Sequence, residues 1–314
     1  MFTLAHISDW HATTLEGAPL AALANKRFFG WQSWLRKRRK RHRPEVLRAV
    51  FDDVRACAPD HVVVTGDLTN VGLPQEFAEA AAQLRELGDP SWVTVVPGNH
   101  DAYVRVPSDV GVDAWAPYLC GDGAAADARA PRASEYPTLR VRDGVAIVGV
   151  CTARPTAWLL ASGEVGAGQL ARLEARLRAL GERGLVRVVA LHHPPTDEGV
   201  SWRRRLRDWR ALQHVLARAG AELVVHGHRH RTWLGEIPGR GAPIAVGGTR
   251  SASDVGVKDA ARAQYHLYRI ERDGAQVRIR VEVRGWDRAR RCMAPEREHA
   301  FASVPAPVPV PLRA

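Results

Sequence analysis

The chain has 314 residues, 46% hydrophobic and 25% charged, a composition that excludes a disordered or fibrous protein and leaves material for a sizeable core. A net charge of +11 and a pI near 10.2 point to anionic partners: a phosphate-containing substrate, nucleic acid or an acidic membrane surface. Cys57, Cys120, Cys151 and Cys292 form no CxxC pair, which argues against a disulfide framework or a zinc ribbon and for a reducing compartment. No apolar run approaches the ~18 residues of a spanning helix. Strand-like residues begin at Phe2, where a signal peptide would otherwise be read. We therefore expect a cytoplasmic protein.

Phe2–Ser8 reads as a buried strand that ends in Asp9-Trp10-His11. Residues 15–43 follow as an insert. Leu20, Ala24, Phe28, Trp31 and Leu35 recur at helical spacing, which predicts one apolar-aromatic face. Beside it lie Lys26, Arg27 and the run Arg36-Lys37-Arg38-Arg39-Lys40-Arg41. Such a segment suits a helix lying in a membrane interface, or equally a helix packed on the domain with a solvated basic tail.

Pro44–Cys57 reads as a helix opened by proline. The strand His61–Thr65 ends in Gly66-Asp67, the helix Pro74–Gly88 follows, and the strand Trp92–Val96 ends in Gly98-Asn99-His100-Asp101. This βαβαβ order implies parallel pairing. Residues 102–140 lose periodicity and read as a long functional loop. Further strands are expected at Val145–Val150, Val186–Leu191, Glu222–Val225 and Ile244–Val246, and helices at Gln169–Leu180 and Arg204–Ala219. Tyr265–Ile270 and Val277–Val283 read as a hairpin, and Val304–Leu312 as an extended tail. We expect one domain over 1–290, with a Pro-rich tail over 291–314.

Five apolar runs thus stop at metal-capable side chains: Asp9-x-His11, Asp67, Asn99-His100-Asp101, His192-His193 and Gly227-His228-Arg229-His230. In α/β sheets ligands gather outside the carboxyl ends of the strands, so five such ends can share one crevice. Carboxylate, imidazole and amide oxygen without thiolate suit Mn, Fe or Zn. His192 is preferred to His193 because it comes first after its strand. His6 and His226 read as buried core histidines, Trp10 as packing, and Arg154 as a surface ion pair.

In that order the motifs resemble the calcineurin-like metallophosphoesterase superfamily over about residues 4–230. The resemblance implies a four-layer α/β/β/α sandwich, where the pattern alone suggests a single sheet. It also implies two divalent metal ions. Asp9, His11 and His230 would hold one, Asn99, His192 and His228 the other, and Asp67 both, so that water activated between them attacks phosphorus. His100 would protonate the leaving oxygen or steady the transition state, and Asp101 would orient its imidazole. Filled ligand positions speak against an inactive binding scaffold.

The insert is similar to those of metallophosphoesterases that cleave UDP-2,3-diacylglucosamine, with rings among acyl chains and Lys and Arg on headgroups. This gives a lipid-nucleotide substrate and peripheral contact with an anionic inner membrane as the first expectation. A soluble cyclic-nucleotide or general phosphodiesterase is the alternative. A DNA nuclease, whose basic arm would track phosphates, is a further one.

Overall fold

A computed structural model describes residues 1–125, 127–257 and 259–309. The chain opens with β1 (Phe2–Ile7). The insert follows, broken into α1 (Leu20–Leu23), α2 (Arg27–Ser33), a π turn over Trp34–Arg38, and α3 (Arg39–Arg41). Next come α4 (Pro44–Cys57), β2 (His61–Val64), α5 (Pro74–Leu87) and β3 (Val93–Val95). Then follow α6 (Ala116–Leu119), β4 (Thr138–Arg142), β5 (Val145–Gly149), α7 (Ala167–Glu182) and β6 (Val186–Leu191). The rest comprises α8 (Trp209–Ala219), β7 (Leu223–His226), β8 (Trp233–Ile237) and β9 (Ile244–Gly248), then β10 (Gln264–Asp273), β11 (Gln276–Asp287), β12 (Cys292–Ala300) and β13 (Val304–Pro305).

Two sheets result, one in the order β12-β11-β10-β1-β2-β3 with β13 on β11, the other β4-β5-β6-β7-β9-β8. Side chains alternate across each strand, so β1 and β2 serve two cores at once. Ala5, Ile7, Val62 and Val64 meet Val46, Val50, Phe51 and Val54 of α4 on the outer face. Leu4 and Val63 point the other way, into a layer shared with Ile147, Val188 and Val225 of the second sheet. On that sheet's outer face Val148, Val189 and Val224 pack on Leu173, Leu177, Leu212 and Leu216 of α7 and α8. The architecture is therefore the expected four-layer α/β/β/α sandwich. Parallel strands buried on both faces explain why His61–Val64 and Val186–Leu191 read as continuous apolar runs.

Several expectations need correction. The insert is not one helix with one apolar face: Leu23 and Trp34 are buried with Leu15, Val71 and Leu73, and Trp31 and Leu35 pack at the margin. Leu20, Phe28 and Phe29 stay exposed. Gly30, costly in a helix, is needed here because a Cβ would overlap Val71. The 102–140 segment holds α6, two 3-10 turns and the start of β4, which pairs antiparallel with β5. The helix expected from Arg204 begins at Trp209, since Leu206 instead bridges Gly163. The tail expected from 291 is mostly sheet. Cys292–Ala300 pairs with β11, and Val304 and Ala306 are buried. Residues 310–314 lie outside the described ones.

Candidate metal centre

The centre is assembled from the carboxyl ends of five strands. β1 supplies Asp9 and His11, β2 Asp67, β3 Asn99 and His100, β6 His192, and β7 His228 and His230. Asp9, His11, Asp67, His228 and His230 all take positive φ, at 51°, 43°, 58°, 71° and 49°. Non-glycine residues adopt this region at a cost of order 1 kcal/mol each, and such strain collects at functional sites. Here the left-handed turn swings each side chain off its strand and into one crevice. Gly98 and Gly227 allow the loops to close: a Cβ on Gly98 would overlap the Asp67 carboxylate, and one on Gly227 would overlap Ser8 and Asp9.

Hydrogen bonds outside the crevice fix which atoms face into it. His11 Nδ1 donates to the Thr69 carbonyl (2.9 Å) and His192 Nδ1 to that of Thr65 (2.6 Å), so both rings present Nε2 inward. A backbone carbonyl on the far nitrogen is the usual support of a metal-binding imidazole. Asp67 Oδ1 accepts the His100 N–H at 2.7 Å. That leaves Oδ2 between His11 Nε2 (3.7 Å) and His192 Nε2 (3.4 Å). Asp9 Oδ2 accepts from Ser8 Oγ and the His228 N–H, while Oδ1 lies 3.2 Å from His230 Nε2. Asn99 Oδ1 and His228 Nδ1 lie 3.1 and 3.2 Å from His192 Nε2.

Three sets of donor atoms, each within 4.8 Å of one another, come together: Asp9–His11–His230, His11–Asp67–His100 and Asp67–His192–His228. His11 links the first set to the second and Asp67 the second to the third, so the three run together as a dinuclear metal-binding cluster. Its fit to cations rests on more than proximity. Asp9 Oδ1, His11 Nε2 and His228 Nε2 are buried and have no hydrogen-bond partner. Buried polar atoms without partners are costly, and all three belong to residues of the cluster. Burial opposes charge on Asp67 and His192, yet their mutual attraction prevails and holds the carboxyl down at about 2 and the imidazole up at about 9. A cation there would take the place of that proton.

His193 spends Nδ1 on Thr152 Oγ1 (2.8 Å) and Nε2 on the Ala161 carbonyl (3.1 Å). His6 bonds Thr65 Oγ1, and His226 the Gly227 carbonyl. Trp10 is buried against Phe51, and Arg154 pairs with Glu164. The role expected of Asp101 is corrected. Its carboxylate accepts the N–H groups of Asp67, Leu68, Thr69 and Gly98 at 2.8–3.0 Å and touches no imidazole. Burial and the neighbouring Asp67 push this carboxyl up to about 7, while four donors aimed at it favour the anion. The group that orients His100 is the Asn70 carbonyl, 2.5 Å from Nδ1.

Sequence reasoning missed four residues here. Asn70 also donates to the carbonyls of His11 and Thr13, and buried Glu76 collects the N–H groups of Asn70, Val71 and Leu73. His42 packs its ring 5.1 Å from that of His11. Arg38 places Nη2 3.0 Å from His100 Nε2. Asn70 follows Asp67 closely in the chain and carried a signal in its nearness to the motif. Arg38 was hidden in a run of six basic residues.

Comparison with known proteins bears on the family and the fold. The chain is 28% identical over 202 residues to a probable cyclic nucleotide phosphodiesterase of Synechococcus sp., covering 63% of this chain and 68% of that protein. A second probable cyclic nucleotide phosphodiesterase, from Rhodococcus erythropolis, is 26% identical over 208 residues, 64% of this chain and 61% of its own length. The fold is similar to that of a dimetal phosphatase from Danio rerio (TM-score 0.60, 13% identity, 94% of this chain and 98% of that one). It is also similar to a purple acid phosphatase from yellow lupin (TM-score 0.53, 11% identity, 96% and 53%). The family model described as calcineurin-like phosphoesterase matches residues 2–232, and the chain belongs to that family.

Proposed function

We propose that this metal-dependent phosphoesterase hydrolyses a soluble phosphodiester, with cyclic nucleotides as the favoured class. The observation that carries the reading is Asp67 Oδ2 standing between His11 and His192, with a group of unspent donors on either side. Asp9, His11 and His230 would hold one cation and Asn99, His192 and His228 the other. When bound, the pair supplies Lewis acidity toward phosphoryl oxygen and acidifies coordinated water. Both relatives described above are named as probable cyclic nucleotide phosphodiesterases, which supports the diester over the lipid nucleotide. The insert supports it too, because Trp31, Trp34 and Leu35, expected to meet acyl chains, pack on the protein.

His100 works from a fixed position. Its Nδ1–H is held by the Asn70 carbonyl and its backbone N–H by Asp67, so Nε2, which meets Arg38 Nη2, is the ring nitrogen left to act on substrate. Burial, aided by Arg38, lowers its pKa to about 3, and the free site holds it neutral. A phosphoryl anion set against Nε2 favours protonation there, which readies the ring to donate to the leaving oxygen.

The test is hydrolysis of 3′,5′-cyclic AMP and bis(p-nitrophenyl) phosphate by protein loaded in turn with Mn²⁺, Zn²⁺ or Fe²⁺. We expect turnover of diesters in excess of p-nitrophenyl phosphate. Metal-bound protein inert toward every diester would overturn the reading.

A second reading concerns place. Phe28, Phe29 and Trp158 touch ring to ring yet are 43%, 43% and 60% exposed, beside exposed Arg36, Lys37, Arg39 and Lys40. Rings among fixed cations support peripheral contact with an anionic membrane, and four free thiols support the cytoplasmic side. No helix among the described residues is long and apolar enough to cross a membrane. Flotation with phosphatidylglycerol vesicles, against phosphatidylcholine ones, should recover the protein only with the former. Equal recovery, or none, would remove the membrane reading.

A further inference from the structure

The basic run at 36–41 divides in space. Arg36, Lys37, Arg39 and Lys40 are exposed. Arg41 pairs with Asp254. Arg38 turns inward, toward the metal centre.

Three features hold it there. It closes the π turn that begins at buried Trp34, a local geometry frequent at functional sites. At one end of the insert Lys26 bonds Thr156 Oγ1 (2.7 Å) and the Leu160 carbonyl (3.0 Å), and Arg27 bonds the carbonyls of Val71 and Gly72. At the other, Arg41 bonds Asp254 and His42 bonds Ser253. The guanidinium is thus presented by a tethered segment and not by a loose basic tail.

Its donors are largely unspent. Arg38 Nη1 lies 3.4 Å from His100 Nδ1 and 3.5 Å from His11 Nδ1. Both of those nitrogens already carry protons donated to the carbonyls of Asn70 and Thr69, so neither can accept. The remaining contact, Nη2 to His100 Nε2 at 3.0 Å, uses one of five N–H groups. Among the described residues no carboxylate pairs with Arg38, and its hydrogen-bond partners are ring nitrogens alone. A guanidinium partly removed from water, with idle donors and no carboxylate paired to it, is a site for an oxyanion.

We propose that Arg38 is the phosphate clamp of this active site, donating to a non-bridging phosphoryl oxygen of the substrate and so making the insert part of the substrate-binding surface. The inference rests on the phosphoesterase reading for the identity of its ligand. Two divalent cations would outweigh the carboxylates of Asp9 and Asp67, and Arg38 adds to that excess, which suits a phosphoryl group better than a neutral ester. A phosphoryl oxygen entering here would displace His100 Nε2 from Arg38 and free that atom for the leaving oxygen.

The experiment compares metal-loaded wild type with Arg38→Met, Arg38→Lys and the exposed control Arg39→Ala. Metal content, inorganic phosphate affinity by calorimetry, and KM and kcat on a diester are read for each. Arg38→Met keeps the apolar stem and should retain both metals while losing about ten- to a hundredfold in phosphate affinity, as fits a lost charged hydrogen bond. KM should rise in parallel. Arg38→Lys should recover part of the loss, as a point charge without the fork, and Arg39→Ala should match wild type.

Unchanged phosphate affinity and KM in Arg38→Met would overturn the proposal. So would loss of metal from both Arg38 variants, which would make the residue a support for the ligands. If Arg38→Met does not fold, the same readouts on Arg38→Lys decide. Wild type inert toward diesters would sink the functional reading, yet the phosphate titration would still judge Arg38.

Discussion

At the scale of single residues, Asp101 carries the clearest consequence. Its two oxygens gather four backbone N–H groups from the loops that carry Asp67 and Asn99. In Asp101→Asn an amide NH₂ must face at least one of those donors, leaving it unsatisfied in a buried place. We expect a loss of about 2–3 kcal/mol, the range for buried bonds to a charged group, measured by urea unfolding of the metal-free protein. Stability equal to wild type would return Asp101 to a purely chemical role. The same residue shows how far the site was legible. Strand-end motifs told which side chains converge, because strand direction alone carries them to one edge. They could not tell which atom each carboxylate faces. That depends on the left-handed turns at Asp9 and Asp67 and on the N–H groups these expose. Arg38 was illegible for another reason: in a run of six cations nothing local marks the one that turns inward.

Among the elements, the insert shows how packing overrides periodicity. Helical spacing placed Phe28 and Leu35 on one face, but the helix, continuous from Arg27 to Arg41, is widened at Trp34–Arg38, which separates them. Trp34 is the anchor, buried with Leu15, Val71 and Leu73. Trp34→Ala should cost about 3–5 kcal/mol if the pocket does not collapse. It should also release Arg38 and weaken inorganic phosphate binding, as calorimetry on the variant would show; intact affinity would mean that the tethers at Lys26 and Arg41 suffice. β2 makes a separate case. His61 is buried at its start with Nε2 on Thr94 Oγ1, and burial, with Arg140 and Arg142 nearby, lowers its pKa to about 3. The unfolded chain takes up a proton near pH 6.5 and the folded one does not, so stability is full above that pH and falls as pH drops toward 3. At pH 5 this one group withdraws about 2 kcal/mol. Unfolding curves between pH 7 and pH 5 should be flatter for His61→Gln than for wild type, and parallel curves would refute the assignment. The strands that were missed, β4, β8 and β12, are edge or near-edge strands. Arg140, Arg142, Glu296 and Arg297 interrupt the apolar pattern there, so no buried run announced them.

On the scale of the whole molecule, the metal centre lies across the gap between two sheets that share no strand pairing. Asp9, Asp67 and Asn99 come from the sheet built on β1, β2 and β3, whereas His192, His228 and His230 come from the one built on β6 and β7. Apart from the apolar layer around Leu4, Val63, Ile147 and Val188, the sheets meet here through polar contacts of His192 with Thr65 and Asn99 and of His228 with Asp9. Cations bound across the crevice therefore stabilise the folded chain alone, since unfolding separates the ligands. At a hundredfold excess over Kd one such site contributes about 2.7 kcal/mol. For a chain of this size that corresponds to a rise in melting temperature of roughly 4 °C. Calorimetric scans with Mn²⁺ or Zn²⁺, and after chelation, should show this difference. Asp67→Asn weakens the carboxylate that stands between His11 and His192, so it should lose most of the metal-dependent rise while melting near the chelated wild type. An undiminished rise in Asp67→Asn would place the stabilising cation elsewhere on the molecule and break the link between the two sheets and the chemistry.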